Sequence, residues 1–282
     1  MSAIVDVLSS LTAVVLALHV LAVLGIVGRD KLSLARTTVR RNVTRSWGVF
    51  VVLAVVLALN KIVRDVGVEI SWLIGARITG FIYAIEGTFV ASVQSLATPE
   101  LTWYFGWMYV YGYVFLLTFP VVAYAVEPDW RPLRELLVAY ALNYGVGVVC
   151  YVFFVAYGPR NFMPELVESL LYVHWPDVQT LTSRVNRNTN VFPSLHTSLS
   201  VTVALLARRH RSAYPRWFPV AVLVAASIAI ATVYLGIHWL TDVVAGVGLA
   251  VGSVAFARRY VERDLLEENE PVAPPGRTVD DD

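Results

Sequence analysis

Charged residues make up 15% of the 282 positions, lysine occurs twice, and there is one cysteine. So few charges cannot clothe a soluble globule, in which about a quarter of residues are charged. With 57% apolar residues and a mean hydropathy of +0.63, the expected solvent is a lipid bilayer. The single cysteine, Cys150, excludes an internal disulfide and, lying in an apolar run, is expected to pack as a small hydrophobe. A net charge of +1 supplies no basic field for nucleic acid, which is excluded as a partner. No internal repeat is visible. No basic residue precedes the first apolar run, which is too long for a signal-peptide core and reads as a retained span.

Apolar runs of roughly 16 to 24 residues, about the length that crosses ~30 Å of hydrocarbon, recur at residues 4–27, 47–63, 103–126, 136–157, 192–207, 217–236 and 240–257. The expected fold is all-α: a polytopic transmembrane helical bundle of six or seven spans, forming a single domain over residues 1–266. Residues 267–282, rich in proline and acid, are expected to be a disordered tail. Residues 66–97 are apolar but interrupted by Glu69, Arg77, Gly80, Glu86 and Gly87, which predicts an interfacial or re-entrant helix. Orientation follows from lysine and arginine, because retained positive charge marks the cytoplasmic side. Residues 28–46, 127–135, 208–216 and those from 258 onward hold 16 of them, and the alternate loops hold 6. The chain is therefore expected to be integral to the plasma membrane, with its N-terminus outside and its C-terminus and tail cytoplasmic. The aromatic stretch 103–113 falls at an outer boundary, either as an interfacial belt or as a substrate-stacking surface.

Two short segments carry chemistry. Phe192-Pro193-Ser194-Leu195-His196-Thr197 opens the fifth run, and Tyr234-Leu235-Gly236-Ile237-His238, followed by Asp242, opens the seventh. Since one run separates them, both starts lie on the same membrane face, the extracytoplasmic one. Pro193 suits a first helical turn, whose free N–H groups can hold a phosphate oxygen, and Ser194 adds a hydroxyl. His238 and Asp242, four residues apart, share one face of a helix. The carboxylate there accepts from one imidazole nitrogen and leaves the other free as a nucleophile.

FPSLHT resembles the second motif of the phosphatidic acid phosphatase type 2 superfamily, usually Pro-Ser-Gly-His. YLGIHWLTDVVAG resembles its third, in which a Ser-Arg pair precedes Gly, His and a later Asp. The resemblance implies that superfamily's haloperoxidase-like helical core, with the catalytic motifs within residues 158–257. It implies His238 as the nucleophile that takes the phosphoryl group, Asp242 as its orienting partner and His196 as the acid that protonates the leaving oxygen. A phosphohistidine splits one hard displacement into two easier ones, and a positioned acid contributes about 10² to 10⁴ in rate. Leu195 stands where Gly is usual, and Thr232 stands where the third motif supplies a phosphate-gripping Arg. Gly158-Pro159-Arg160-Asn161 is the nearest counterpart of the first motif. This pattern is closest to the inositol phosphorylceramide synthase and sphingomyelin synthase subgroup. The implied activity is thus a membrane phosphotransfer enzyme on a lipid phosphate, a phosphatase using water or a head-group phosphotransferase using a polyol acceptor.

A transferring phosphoryl group needs positive charge where its own charge develops. Arg160, Arg184 and Arg187, on the outer side and leading into His196, are the candidate phosphate-binding cations, with Ser194. No metal site is expected, because zinc needs three or four converging ligands and two His with one committed Asp do not supply them; no cofactor is implied. Lone His19 is expected to be packed or hydrogen bonded, and His174 and His210 to be loop residues. Glu69 and Glu86 stay open between function and exposure. The alternative from another class is a non-catalytic lipid-binding or transport protein that keeps the fold, a reading the missing Arg at Thr232 sustains. Oligomeric state is not legible.

Overall fold

The structure, a computed structural model of the chain, describes residues 2–33, 35–175 and 191–269. It is an all-α transmembrane bundle. Among the described residues, six helices are long and apolar enough to cross a membrane, over Val5–Val27, Ala35–Val63, Pro99–Ala125, Arg131–Phe153, Trp217–Tyr234 and Leu240–Leu266. Hydrocarbon offers no hydrogen-bond partner, so a spanning backbone must satisfy itself, and a helix does so within one segment. Leu16, Leu21, Leu24, Leu223 and Ile230 are each more than half exposed, which in lipid carries no penalty.

The first span is α1 (Ser2–Ala22) with a π-helical turn (Val23–Val27), followed by the short α2 (Arg29–Ser33). Helix α3 (Ala35–Ile74) has 40 residues, about 60 Å at the usual rise, and runs past the membrane-length segment. Residues 66–97, expected as one interfacial or re-entrant helix, divide into several pieces. They complete α3, form a two-residue strand β1 (Ala76–Arg77), and then make two short helices, α4 (Thr79–Glu86) and α5 (Phe89–Gln94). Gly87, with φ +54°, separates the two helices. Neither is long enough to span.

The third span is α6 (Pro99–Trp107), a π-helical turn (Met108–Gly112) and α7 (Tyr113–Ala125). Thr98 caps α6, accepting the N–H of Leu101 at 3.3 Å with Pro99 behind it. Helix α8 (Arg131–Phe153) leads into β2 (Phe154–Val155), which pairs in parallel with β1. Short helices α9 (Pro159–Phe162) and α10 (Leu170–His174) follow. After them come α11 (Leu195–Arg209), α12 (Trp217–Tyr234) and α13 (Leu240–Asn269).

Helix α11 is the run expected as the fifth span. At 15 residues it covers about 22 Å, short of the hydrocarbon thickness, and it carries Thr197, Ser198, Ser200 and Thr202, all fully buried. It packs inside the bundle against α8, α12 and α13, where protein surrounds it, so it needs neither the length nor the apolarity of a lipid-facing helix. Ser198 donates to Asn143, whose amide nitrogen donates to Thr202 at 3.1 Å. Its two ends nevertheless mark the two ends of the bundle. Ser194 meets the start of α13, and Arg209 meets Glu135 near the start of α8.

Around Arg209 the bundle is closed by ions. Glu135, with a side chain 2% exposed, accepts from Arg209 at 2.9 Å and pairs with His210 at 2.8 Å. Lys31 pairs with Glu127 and Arg134 with Asp264, both at 2.6 Å, while Arg41 bonds the carbonyl of Pro128. His210 is thus no idle loop residue but part of a buried acid's cage. Between the two ends lies the main core, built from Phe115, Phe119, Leu136, Leu199, Leu206, Trp217 and Ile228. His19 packs edge-on to Phe115 and Phe119 and bonds the carbonyl of Val15 at 2.8 Å. The tail expected from residue 267 begins within α13, and residues 270–282 lie outside the described residues.

Candidate active site

At the end of the bundle opposite the Glu135 cage, the turn between α12 and α13 presents His238. Gly236 adopts φ +69°, a conformation that L side chains rarely take. A Cβ there would also lie 2.6 Å from Val167 Cγ1. The turn is closed by the carbonyl of Thr232, which accepts the N–H groups of both Ile237 and His238 at 3.0 Å. Gln94 of α5 fastens it from outside, donating to the carbonyls of Tyr234 and Glu168 at 3.0 Å each.

His238 is 5% exposed and Asp242 fully buried. Imidazole Nδ1 stands 3.4 Å from Asp242 Oδ2, which also accepts the N–H of Trp239 at 2.9 Å. That spacing is long for a hydrogen bond; with Nδ1 toward the carboxylate, Nε2 faces away from it. The second oxygen, Asp242 Oδ1, is buried without a partner among the described residues.

His196 enters from α11. Its ring centroid is 6.4 Å from that of His238, and it lies between Tyr109 at 4.5 Å and Tyr113 at 4.3 Å. Both tyrosines come from the aromatic stretch read as a belt or a stacking surface. Here Tyr109 stacks on the His196 ring and Tyr113 lies tilted against it. The π-helical turn at Met108–Gly112 widens the third span between them, and such turns recur at functional sites.

Ser194 is buried at the N-cap of α11, where its hydroxyl oxygen accepts the N–H of Thr197 at 3.3 Å. Its own N–H donates to the Asp242 carbonyl at 3.0 Å. The helix starts at Leu195, so Pro193 lies before the cap and not in the first helical turn as expected; the Ser194 side chain takes the capping place. The N–H groups of Leu195 and His196 open the helix with no intrahelical acceptor available to them.

Arg160 reaches the site through its backbone. Its N–H donates to the Gly236 carbonyl at 3.0 Å, and Gly158 sits so close to Ile237 that a Cβ would meet the carbonyl oxygen at 2.3 Å. The guanidinium lies over the Tyr172 ring, 4.5 Å from its centroid, and bonds the Tyr172 hydroxyl at 3.0 Å, while Nη1 has no partner among the described residues. Arg184 and Arg187 lie outside the described residues. Thr232 is fully buried and its hydroxyl donates to the Ala229 carbonyl at 2.7 Å, so that side chain turns back on its own helix and supplies no group to the site.

Sequence reasoning missed the tyrosine pair as neighbours of His196. Their i, i+4 spacing was visible, but the π-helical turn that aims them was not. Glu86 proves to bond the start of α13, which no local pattern announces. Among the described residues, no three His, Cys, Asp or Glu side chains converge as a metal site.

A sequence model of the PAP2 superfamily matches residues 84–256, from the end of α4 through most of α13. An uncharacterised protein of Methanocaldococcus jannaschii is 27% identical over 160 residues, which cover 56% of this chain and 62% of the relative's own length. No solved structure matches. The family match takes in the Arg160 loop, the His196 helix and the His238–Asp242 turn together, and by its extent this chain belongs to the PAP2 superfamily.

Proposed function

We propose that the protein is a membrane enzyme that moves the phosphoryl group of a lipid phosphate through a phosphohistidine on His238. The observation that carries this reading is that two histidines, one on α11 and one in the turn before α13, bring their rings to 6.4 Å between centroids, with Asp242 against one of them. Both rings then reach atoms of a single phosphate ester. His238 Nε2 attacks phosphorus and the bond to the ester oxygen breaks. His196 gives its proton to that leaving oxygen. Asp242 holds the Nδ1 proton and stabilises the charge that the ring acquires. Water or an alcohol then attacks the phosphohistidine, His196 takes the proton of that nucleophile, and His238 is released.

Positive charge for the phosphate comes in this reading from Arg160, whose Nη1 is uncommitted, with the first-turn N–H groups of α11. Ser194 acts by capping that turn. Arg184 and Arg187 are the further candidates, on the loop that leads into His196. The site faces the extracytoplasmic side and the C-terminus the cytoplasm, a reading supported by Lys31, Arg41, Arg134 and Arg209, which gather at the opposite end of the bundle. The plasma membrane and a single domain over residues 1–266 complete the proposal.

The test is to supply purified protein with a panel of lipid phosphates, with and without polyols such as inositol, and to identify products by mass. Release of free phosphate makes it a phosphatase, and a phosphate ester of the polyol makes it a phosphotransferase. Binding of lipid phosphate without turnover of any ester would replace the reading with a non-catalytic lipid-binding protein, the alternative that the inward-turned Thr232 favours.

A further inference from the structure

Glu86 is the last residue of α4, an eight-residue helix. A negative charge at that place faces the negative end of its own helix dipole, so local structure gives no reason for an acid there. Its partners are remote in sequence. Oε2 accepts the N–H of Leu240 at 2.9 Å and Oε1 that of Thr241 at 2.5 Å. These N–H groups open the 30-residue α13 and have no acceptor within it, and the positive end of that helix favours a carboxylate. The preceding N–H, that of Trp239, is taken by Asp242 Oδ2 at 2.9 Å. Two carboxylates thus hold the start of α13, and His238 stands two residues before its first residue.

The same short helix grips this turn a second time. Tyr83 lies edge-on to the Trp239 indole at 6.3 Å, and Trp239 Nε1 donates to the Tyr157 carbonyl at 2.8 Å. Helix α4 therefore holds both the ring that follows His238 and the backbone that leads to Asp242. We infer that Glu86 is a positioning residue: its carboxylate clamps the start of α13 and so sets the His238–Asp242 pair against His196. The inference rests on the reading of His238 as nucleophile.

Full-length protein in lipid nanodiscs is assayed for kcat, KM and acid-labile phosphate formed from an activated phosphate ester. The variants are Glu86→Ala, Glu86→Gln, Thr98→Ala and His238→Ala. Misplacing a reacting group by about 1 Å costs on the order of 10²-fold, so Glu86→Ala is expected to lower kcat about 100-fold. KM should move by less than about threefold, since substrate binding is untouched. Glu86→Gln keeps one acceptor oxygen and should fall in between, about tenfold down. Thr98→Ala removes the cap of α6 at the same end of the molecule and should leave kcat unchanged. Wild-type kcat in either Glu86 variant, with His238→Ala inactive, overturns the inference alone, and so does an equal loss in Thr98→Ala. Phosphoenzyme and turnover in His238→Ala would remove the functional reading and the inference with it. Should Glu86→Ala fail to fold, Glu86→Gln carries the test.

Discussion

His196 and His238 differ in everything around the ring. His196 lies against two tyrosines, with no carboxylate bonded to it among the described residues, while His238 sits against Asp242. A carboxylate favours the tautomer that leaves Nε2 nucleophilic and supports the imidazolium that follows, whereas stacked rings hold an imidazole in place without charging it. The two residues should therefore separate by leaving group. With a lipid phosphate, His196→Ala is expected to lose about 10² to 10⁴ in turnover, the contribution of a positioned acid. With a nitrophenyl ester, whose leaving group needs no proton, the same variant should still form acid-labile phosphate in a burst. His238→Gln should form none with either ester. Phosphate trapped on the His238→Gln protein would reassign the nucleophile. The pairing of His238 with Asp242 was legible from their four-residue spacing, although His238 stands in the turn before α13 and not on the helix face that the spacing predicts. The tyrosines about His196 were not, because their aim depends on a local widening of the third span.

Helix α11 and helix α13 meet where the site is built, and a glycine sets their approach. A Cβ on Gly246 would lie 2.6 Å from the Ser194 carbonyl oxygen and 3.3 Å from Thr197 Cβ, whereas one on Gly248 would meet nothing within 4 Å. The same contact carries the bond from Ser194 N–H to the Asp242 carbonyl. Gly246→Ala should therefore push the helices apart, costing about 1–3 kcal/mol as overpacking does, and lower turnover with it. Gly248→Ala, two residues on, should be neutral or stabilise by up to about 1 kcal/mol through helix propensity. Thermal unfolding of both in one detergent, with turnover measured alongside, decides the matter; equal behaviour would mean that this contact does not set the site. Sequence marked the helix but not its setting. Thr197, Ser198, Ser200 and Thr202 make it too polar for a lipid-facing span, and only packing among α8, α12 and α13 explains why a polar helix stands there.

Over the whole molecule, charge and chemistry are separated. The Glu135 cage and the paired Lys31, Arg134 and Arg209 close one end, and His196, His238 and Asp242 occupy the other. Retained positive charge marks the cytoplasmic side, so the two ends should face different compartments. Glu165 and Ser212 are both exposed, one in the loop after α9 and the other after α11. Single cysteines at these positions, in a Cys150→Ala background, should label with a membrane-impermeant reagent from opposite sides, Glu165→Cys from outside. Labelling of both from one side would break the proposed orientation and the placement of the site with it.

By itself the sequence determined the solvent, the helical class, most span positions and the pairing of the two motifs at one face. These follow from hydropathy over about 20 residues and from the order of the apolar runs along the chain, both properties of the sequence that need no partner. The tertiary structure decided what depends on contact between distant segments. It put Glu86 on the first N–H groups of α13, Tyr109 and Tyr113 on His196, and the Ser194 hydroxyl on its own helix. It also turned Thr232 inward, to its own Ala229 carbonyl. No periodicity encodes these choices, because each is settled by which unsatisfied donor or open ring face packing leaves within reach of a given side chain.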